Sequence, residues 1–128
     1  MSEFVDYLHE VFESFGPIRS RKMFGGHGIY HNDLMFGLVA DDELYLKTDS
    51  INIALFEELG LGPFEFVANN KTSKMSYYLA PEEIYDDPEQ AAYWAEQGFQ
   101  AALRAQAIKL KRAANKKPKQ RINKKSKK

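Results

Sequence analysis

Apolar residues recur at helical spacing near the start of the chain: Phe4, Val5, Leu8, Val11, Phe12 and Phe15 fall on one side, and Glu3, Asp6, Glu10 and Glu13 on the other. This predicts an amphipathic helix over 3 to 14, with Ser2 as its N-cap and Gly16-Pro17 as its stop. The period then changes to two. Strands are predicted near 28 to 31, 35 to 40 and 43 to 48, with Leu44 and Leu46 facing one way and Glu43, Tyr45 and Lys47 the other. His31-Asn32-Asp33 and Asp41-Asp42 supply hairpin turns, because Asn and Asp tolerate positive φ.

Asp49 is placed to cap a second helix at about 50 to 59, turned inward at Ile53, Phe56 and Leu59 and closed by Gly60 and Gly62-Pro63. A second hairpin follows, with strands over 64 to 68 and 75 to 79 around the polar loop 69 to 73. Asp87-Pro88-Glu89-Gln90 is the best helix start in the chain: an N-cap, a proline at the first helical position and a glutamine at the third. The helix it opens should run from 88 to about 113, facing inward with Ala91, Trp94, Ala95, Phe99, Ala102 and Leu103, and Gly98 permits close approach to the sheet. Pro118 argues against helix beyond about 116. The order read is α-β-β-β-α-β-β-α, an α+β fold with helices packed on antiparallel sheet, plus a basic C-terminal tail.

Composition changes this picture in one respect. The formal charge is zero, yet residues 1 to 108 hold seven Lys+Arg against eighteen Asp+Glu (−11), and residues 109 to 128 hold eleven basic residues and no acidic one (+11). We therefore divide the chain into a folded body, 1 to 108, and a tail, 109 to 128, that extends the last helix and then loses order. The absence of cysteine excludes disulfides, thiol nucleophiles and thiolate zinc sites. The acidic N-terminus lacks the features of a signal peptide and no segment is apolar enough to span a bilayer, so a cytoplasmic location and no membrane partner are expected.

Candidate chemistry is sparse. Gly25-Gly26-His27-Gly28 matches neither phosphate-loop pattern and leads into a strand, so its glycines read as steric. His27, His31 and Asp33 suggest a metal site only superficially, since strand positions four apart lie roughly 13 Å from one another. No nucleophile has an obvious paired base, and the adjacent carboxylates fit turns and caps. No catalytic residue, metal or cofactor is assigned. Arg21, Met23 and Phe24 are the candidate protein-contact surface, Arg, Met and aromatic groups being enriched at interfaces; the competing reading makes Met23 and Phe24 core residues. Tail residues Lys109, Lys111, Arg112, Lys116, Lys117, Lys119, Arg121, Lys124, Lys125, Lys127 and Lys128 form a candidate non-specific nucleic-acid attachment, with a salt slope of roughly −5 if about 6 phosphates are neutralised. A solvated tail that folds back on its acidic body explains the same composition.

Arg21-Lys22-Met23-Phe24-Gly25-Gly26-His27-Gly28-Ile29-Tyr30, Met35-Phe36-Gly37-Leu38, Glu43-Leu44-Tyr45-Leu46-Lys47, Met75-Ser76-Tyr77-Tyr78 and Pro81-Glu82-Glu83, followed by a helix with Trp94, resemble the TfoX/Sxy N-terminal domain family over residues 1 to about 108. The resemblance implies an α+β domain and a regulator of natural competence that acts with the cyclic-AMP receptor protein at promoters. It brings no catalytic residues. Where full-length members carry a helical C-terminal domain, this sequence offers the basic tail.

The expectation is therefore a non-enzymatic regulatory or adaptor domain that contacts a protein of the transcription machinery or one of its regulators, while the tail attracts nucleic acid. The rival expectation is a small-molecule-binding domain or enzyme with a pocket between sheet and helices, lined by Tyr30, Tyr45, Tyr77 and Tyr78.

Overall fold

In a computed structural model, residues 3–23 and 25–126 are described, with side chains to residue 115. The elements are α1 (Glu3–Val11), β1 (Arg19–Met23), β2 (Gly26–His31), β3 (Leu34–Ala40), β4 (Glu43–Lys47), α2 (Ile53–Glu58), β5 (Pro63–Ala68), β6 (Lys71–Leu79), a 3-10 turn (Glu82–Tyr85) and α3 (Pro88–Ser126). The strands form one antiparallel sheet in the order β1-β2-β3-β4-β6-β5.

The α+β architecture read from the sequence is the one observed, with one added strand and a short 3-10 turn. Residues 19 to 23 form β1 at the sheet edge, pairing Arg21 with Gly28 and Lys22 with His27. The segment RSRKM has no apolar alternation to announce a strand, and β2 supplies the partner that makes it one.

Three of the hairpins, β2–β3, β3–β4 and β5–β6, close through two-residue turns, with positive φ at both residues of Asn32-Asp33, Asp41-Asp42 and Asn69-Asn70. The last replaces the longer polar loop expected at 69 to 73, so β6 begins at Lys71. A bulge lies where Ile29 pairs with Gly37 but Tyr30 pairs with Met35, and it leaves Phe36 as the extra residue on β3.

The helices cover one face of the sheet. Leu8 and Phe12 from the N-terminal segment, Ile29, Phe36, Leu44 and Leu46 from the strands, Phe56 from α2 and Ala91, Trp94 and Ala95 from α3 form the buried cluster. The Phe56 and Trp94 rings meet edge-on at 5.0 Å. Small residues on α3 let it lie close: a Cβ on Gly98 would stand 3.2 Å from the Phe36 carbonyl oxygen, as the sequence anticipates.

Asp87 caps α3, its Oδ1 accepting from the N–H groups of Glu89 (3.0 Å) and Gln90 (3.4 Å). The expected end of this helix before Pro118 differs from the structure, in which it continues to Ser126; a proline costs the helix one backbone donor without forbidding its continuation. Asp49, expected to cap α2, instead organises the turn before it, its Oδ1 accepting from the N–H groups of Ile51 and Asn52, and α2 begins at Ile53 with Asn52 at the N-cap position. Here α2 is shorter than expected and ends at Glu58, which leaves Leu59 half-exposed rather than inward. Ser2 lies outside the described residues.

Candidate functional site

Among the described residues, the second face of the sheet meets a helix only at its border with α3, and this is where the molecule has a site to offer. Strand alternation, shifted by one residue at the Phe36 bulge, sends Phe36, Leu44 and Leu46 to the helices and Met35, Leu38, Tyr45 and Lys47 to the opposite side. Register sets Tyr30 opposite Met35, Leu38 opposite Tyr45 and Lys47 opposite Tyr77. The sheet curls around a groove of about 410 Å³ between Met23, Met35 and Leu38 on one side and Phe64, Phe66, Met75 and Tyr77 on the other. Phe66 and Met75 form an exposed lip, whereas Leu38 and Tyr77 are buried at its floor.

Two glycines shape the groove. A Cβ on Gly26 would come within 2.1 Å of the Val39 carbonyl oxygen, so β2 and β3 can approach there only without a side chain. A Cβ on Gly28 would stand 3.1 Å from both Met23 Cε and Met35 Sδ, so glycine leaves the room in which the two methionines meet. The glycine cluster acts through space rather than through phosphate contacts.

A second hollow of about 400 Å³ adjoins the groove where α3 passes the sheet. It shares Met35 and Tyr77 with the groove and adds Lys47, Ala102, Lys109 and Leu110. Lys47 Nζ donates to Ser76 Oγ at 2.9 Å and lies 5.1 Å from the centre of the Tyr77 ring. Burial pushes the Lys47 ammonium below its usual value, opposed by the charge of Asp49. Burial likewise pushes the Tyr77 phenol up to about 12, with a smaller push from Tyr30.

Two of the residues expected at the protein contact, Arg21 and Met23, stand two apart on β1. Arg21 is exposed on β1, its guanidinium 5.9 Å from the centre of the Tyr30 ring. Met23 is half-buried on the groove wall. Phe24 lies outside the described residues. Of the tail cations, Lys109, Lys111 and Arg112 are exposed on α3; the side chains of Lys116, Lys117, Lys119, Arg121, Lys124 and Lys125, and the whole of Lys127 and Lys128, lie outside the described residues.

The expected tyrosine-lined pocket between sheet and helices is corrected. That space is filled by the core, and Tyr78 sits on the helix side against Phe56, donating to Glu57 Oε2 at 3.3 Å. Tyr30, Tyr45 and Tyr77 are on the other face. His31 turns Nδ1 to the Pro17 carbonyl oxygen at 2.8 Å and packs against Phe15 and Phe99, and Asp33 pairs with Arg19 at 3.2 Å. Sequence reasoning missed the methionine groove. Its signal was β3, LMFGLVA, apolar on both faces of a strand whose helices cover only one.

Comparison with known proteins places this arrangement. The model of the TfoX N-terminal domain matches residues 10–102, which include all six strands and α3 as far as Ala102. The DNA transformation protein TfoX1 of Aliivibrio fischeri (strain ATCC 700601 / ES114) is 34% identical over 88 residues, 66% of this chain and 42% of that protein. The chain thus spans less than half the length of this relative.

Proposed function

Because the chain belongs to the TfoX N-terminal domain family, we propose that it is a non-enzymatic, cytoplasmic regulatory or adaptor domain of the DNA-transformation class, acting through protein contacts at β1 and the adjoining groove. The observation that carries this reading is the edge itself. β1 is the outermost strand, Arg19, Ser20, Arg21 and Lys22 are all exposed on it, and Met23 leads from it into the apolar groove.

A free edge can accept a further strand through its main chain, and side-chain pockets then decide which strand. Basic side chains on an edge also deter pairing between copies of the chain. In a body of charge −11, this local run of three cations selects a partner segment that is acidic at the edge and apolar where it crosses Met23. The tail serves separately as a non-specific, salt-sensitive attraction to nucleic acid.

The test is recovery of bound proteins from the native cell, with and without nuclease, by the full chain, by the Arg21→Glu/Phe24→Ala variant and by a chain lacking residues 109 to 128. The double variant should fold and lose a nuclease-resistant partner. The shortened chain should keep that partner and lose DNA retardation at low salt. An unchanged partner set in the folded double variant would defeat the edge assignment, and equal retardation by the shortened chain would defeat the tail assignment.

A further inference from the structure

We propose that the open face of the sheet binds a free amphiphilic anion, a long-chain carboxylate, with its alkyl chain in the methionine groove and its head group at Lys47 and Lys109. The two neighbouring hollows differ in chemistry in the way such a molecule requires. The groove is lined by thioether, aromatic and aliphatic groups, and the adjoining hollow presents two ammonium groups. Met35 and Tyr77 border both, so a ligand leaving the groove beside them arrives at Lys47.

Lys47 is the observation that calls for an anion. It is half-buried, yet its Nζ rests on a hydroxyl and a ring face rather than on a carboxylate. The ion pairs among the described residues are Arg19–Asp33 and Arg104–Asp49. The nearby Asp49 is thus occupied, with Arg104 on both oxygens and two backbone N–H groups on Oδ1. A half-buried cation with no ion-pair partner among the described residues, and Asp49 acting on it only from a distance, is costly to hold, and a ligand carboxylate would offset that cost.

The groove suits an alkyl chain better than a shaped or polar ligand. Unbranched methionine side chains adapt to a flexible apolar occupant, and Met23, Met35 and Met75 stand on three different strands around it. Its volume is within the usual range of small-molecule sites.

The methyl resonances of these three methionines report occupancy directly. Full-length protein labelled at the methionine methyls is titrated, below micelle formation, with dodecanoate, dodecanol and dodecyltrimethylammonium, and separately with vesicles of anionic phospholipid. Dodecanoate should shift all three resonances saturably and bind about tenfold or more tightly than the cation. Lys47→Gln should abolish the preference for dodecanoate over dodecanol, and Met75→Glu, at the exposed lip, should weaken every ligand. If Lys47→Gln fails to fold, Lys109→Gln at its exposed position should still reduce the preference about twofold to threefold. Equal affinity for the three head groups would overturn the proposal. So would an unchanged preference in a folded lysine variant, shifts only at micellar concentrations, or a response to vesicles without one to monomeric dodecanoate.

Discussion

Arg104 holds Asp49 at two points, Nε to Oδ2 at 2.6 Å and the second guanidinium nitrogen to Oδ1 at 3.1 Å, and so joins α3 to the loop that starts α2. The same Oδ1 receives the N–H groups of Ile51 and Asn52. One carboxylate thereby organises a loop and fixes a helix that lies 55 residues away in sequence.

Arg104→Ala should lower stability by about 1–2 kcal/mol, and Arg104→Lys should restore little, because an ammonium cannot reproduce the two-point geometry. Urea unfolding of the single variants, Asp49→Asn and the double variant provides the check. A coupling free energy of about 1 kcal/mol is expected, and additive effects would show that the pair contributes nothing.

The Arg104 hydrogen bond, outweighing desolvation, holds the Asp49 carboxyl below its ordinary value of 3.8. A depressed folded value means that this stabilisation is present above the unfolded value and is lost as pH falls through the folded one. The gap in unfolding midpoint between wild type and Arg104→Ala should therefore be constant near neutrality and close in acid below about 4. A gap that persisted in strong acid would assign the arginine's effect to packing.

Asn52 is fully buried, and its amide is completely used: Nδ2 donates to the carbonyl oxygens of Lys47 (3.2 Å) and Gln97 (3.0 Å), and Oδ1 accepts from the Asp49 N–H (2.9 Å). Asn52→Ala leaves those groups without their partner and should cost about 2–3 kcal/mol. Asn52→Asp should cost at least as much at neutral pH, since a carboxylate would face two carbonyl oxygens. Thermal unfolding would show both, and a variant within a few tenths of a kcal/mol of wild type would contradict this role.

Gly26→Ala drives a methyl group into the Val39 carbonyl oxygen, where neither backbone can yield cheaply, and should destabilise by more than about 2 kcal/mol while perturbing β2 and β3. Gly62 meets nothing within 4 Å and lacks the left-handed φ that favours glycine, so Gly62→Ala should be neutral or stabilising by about 0.5 kcal/mol. Parallel urea titrations would compare them; equal effects would rule out the steric explanation.

The Tyr77 phenol, raised by burial from 10.0 to about 12, should ionise late in an alkaline absorbance titration. A raised folded value means that its contribution is intact below the unfolded value and fades as pH rises through the folded one, so stability should fall between about 10 and 12. Tyr77→Phe should remove one late-ionising phenol and flatten that decline. Tyr85, also raised to about 12 by burial, should remain as an internal reference.

The sequence by itself determined the local elements and much of their order. Turn pairs such as Asn32-Asp33 and Asp41-Asp42, the Asp87-Pro88 helix start and the inward alanines of α3 act through nearest-neighbour sterics and hydrogen bonds that a reader of the chain can evaluate. The family signature was equally local, and so was the charge division between body and tail. Tertiary structure alone decided the rest. RSRKM is a strand because β2 lies beside it, and Asn52 is a buried node because α3 returns over it. Met23, Met35 and Met75 form one groove only when three strands from distant parts of the chain align in register. The physical reason is that covering by the helices is unequal: one sheet face is packed against α1, α2 and α3, and the apolar residues alternating to the other face lie outside that cover.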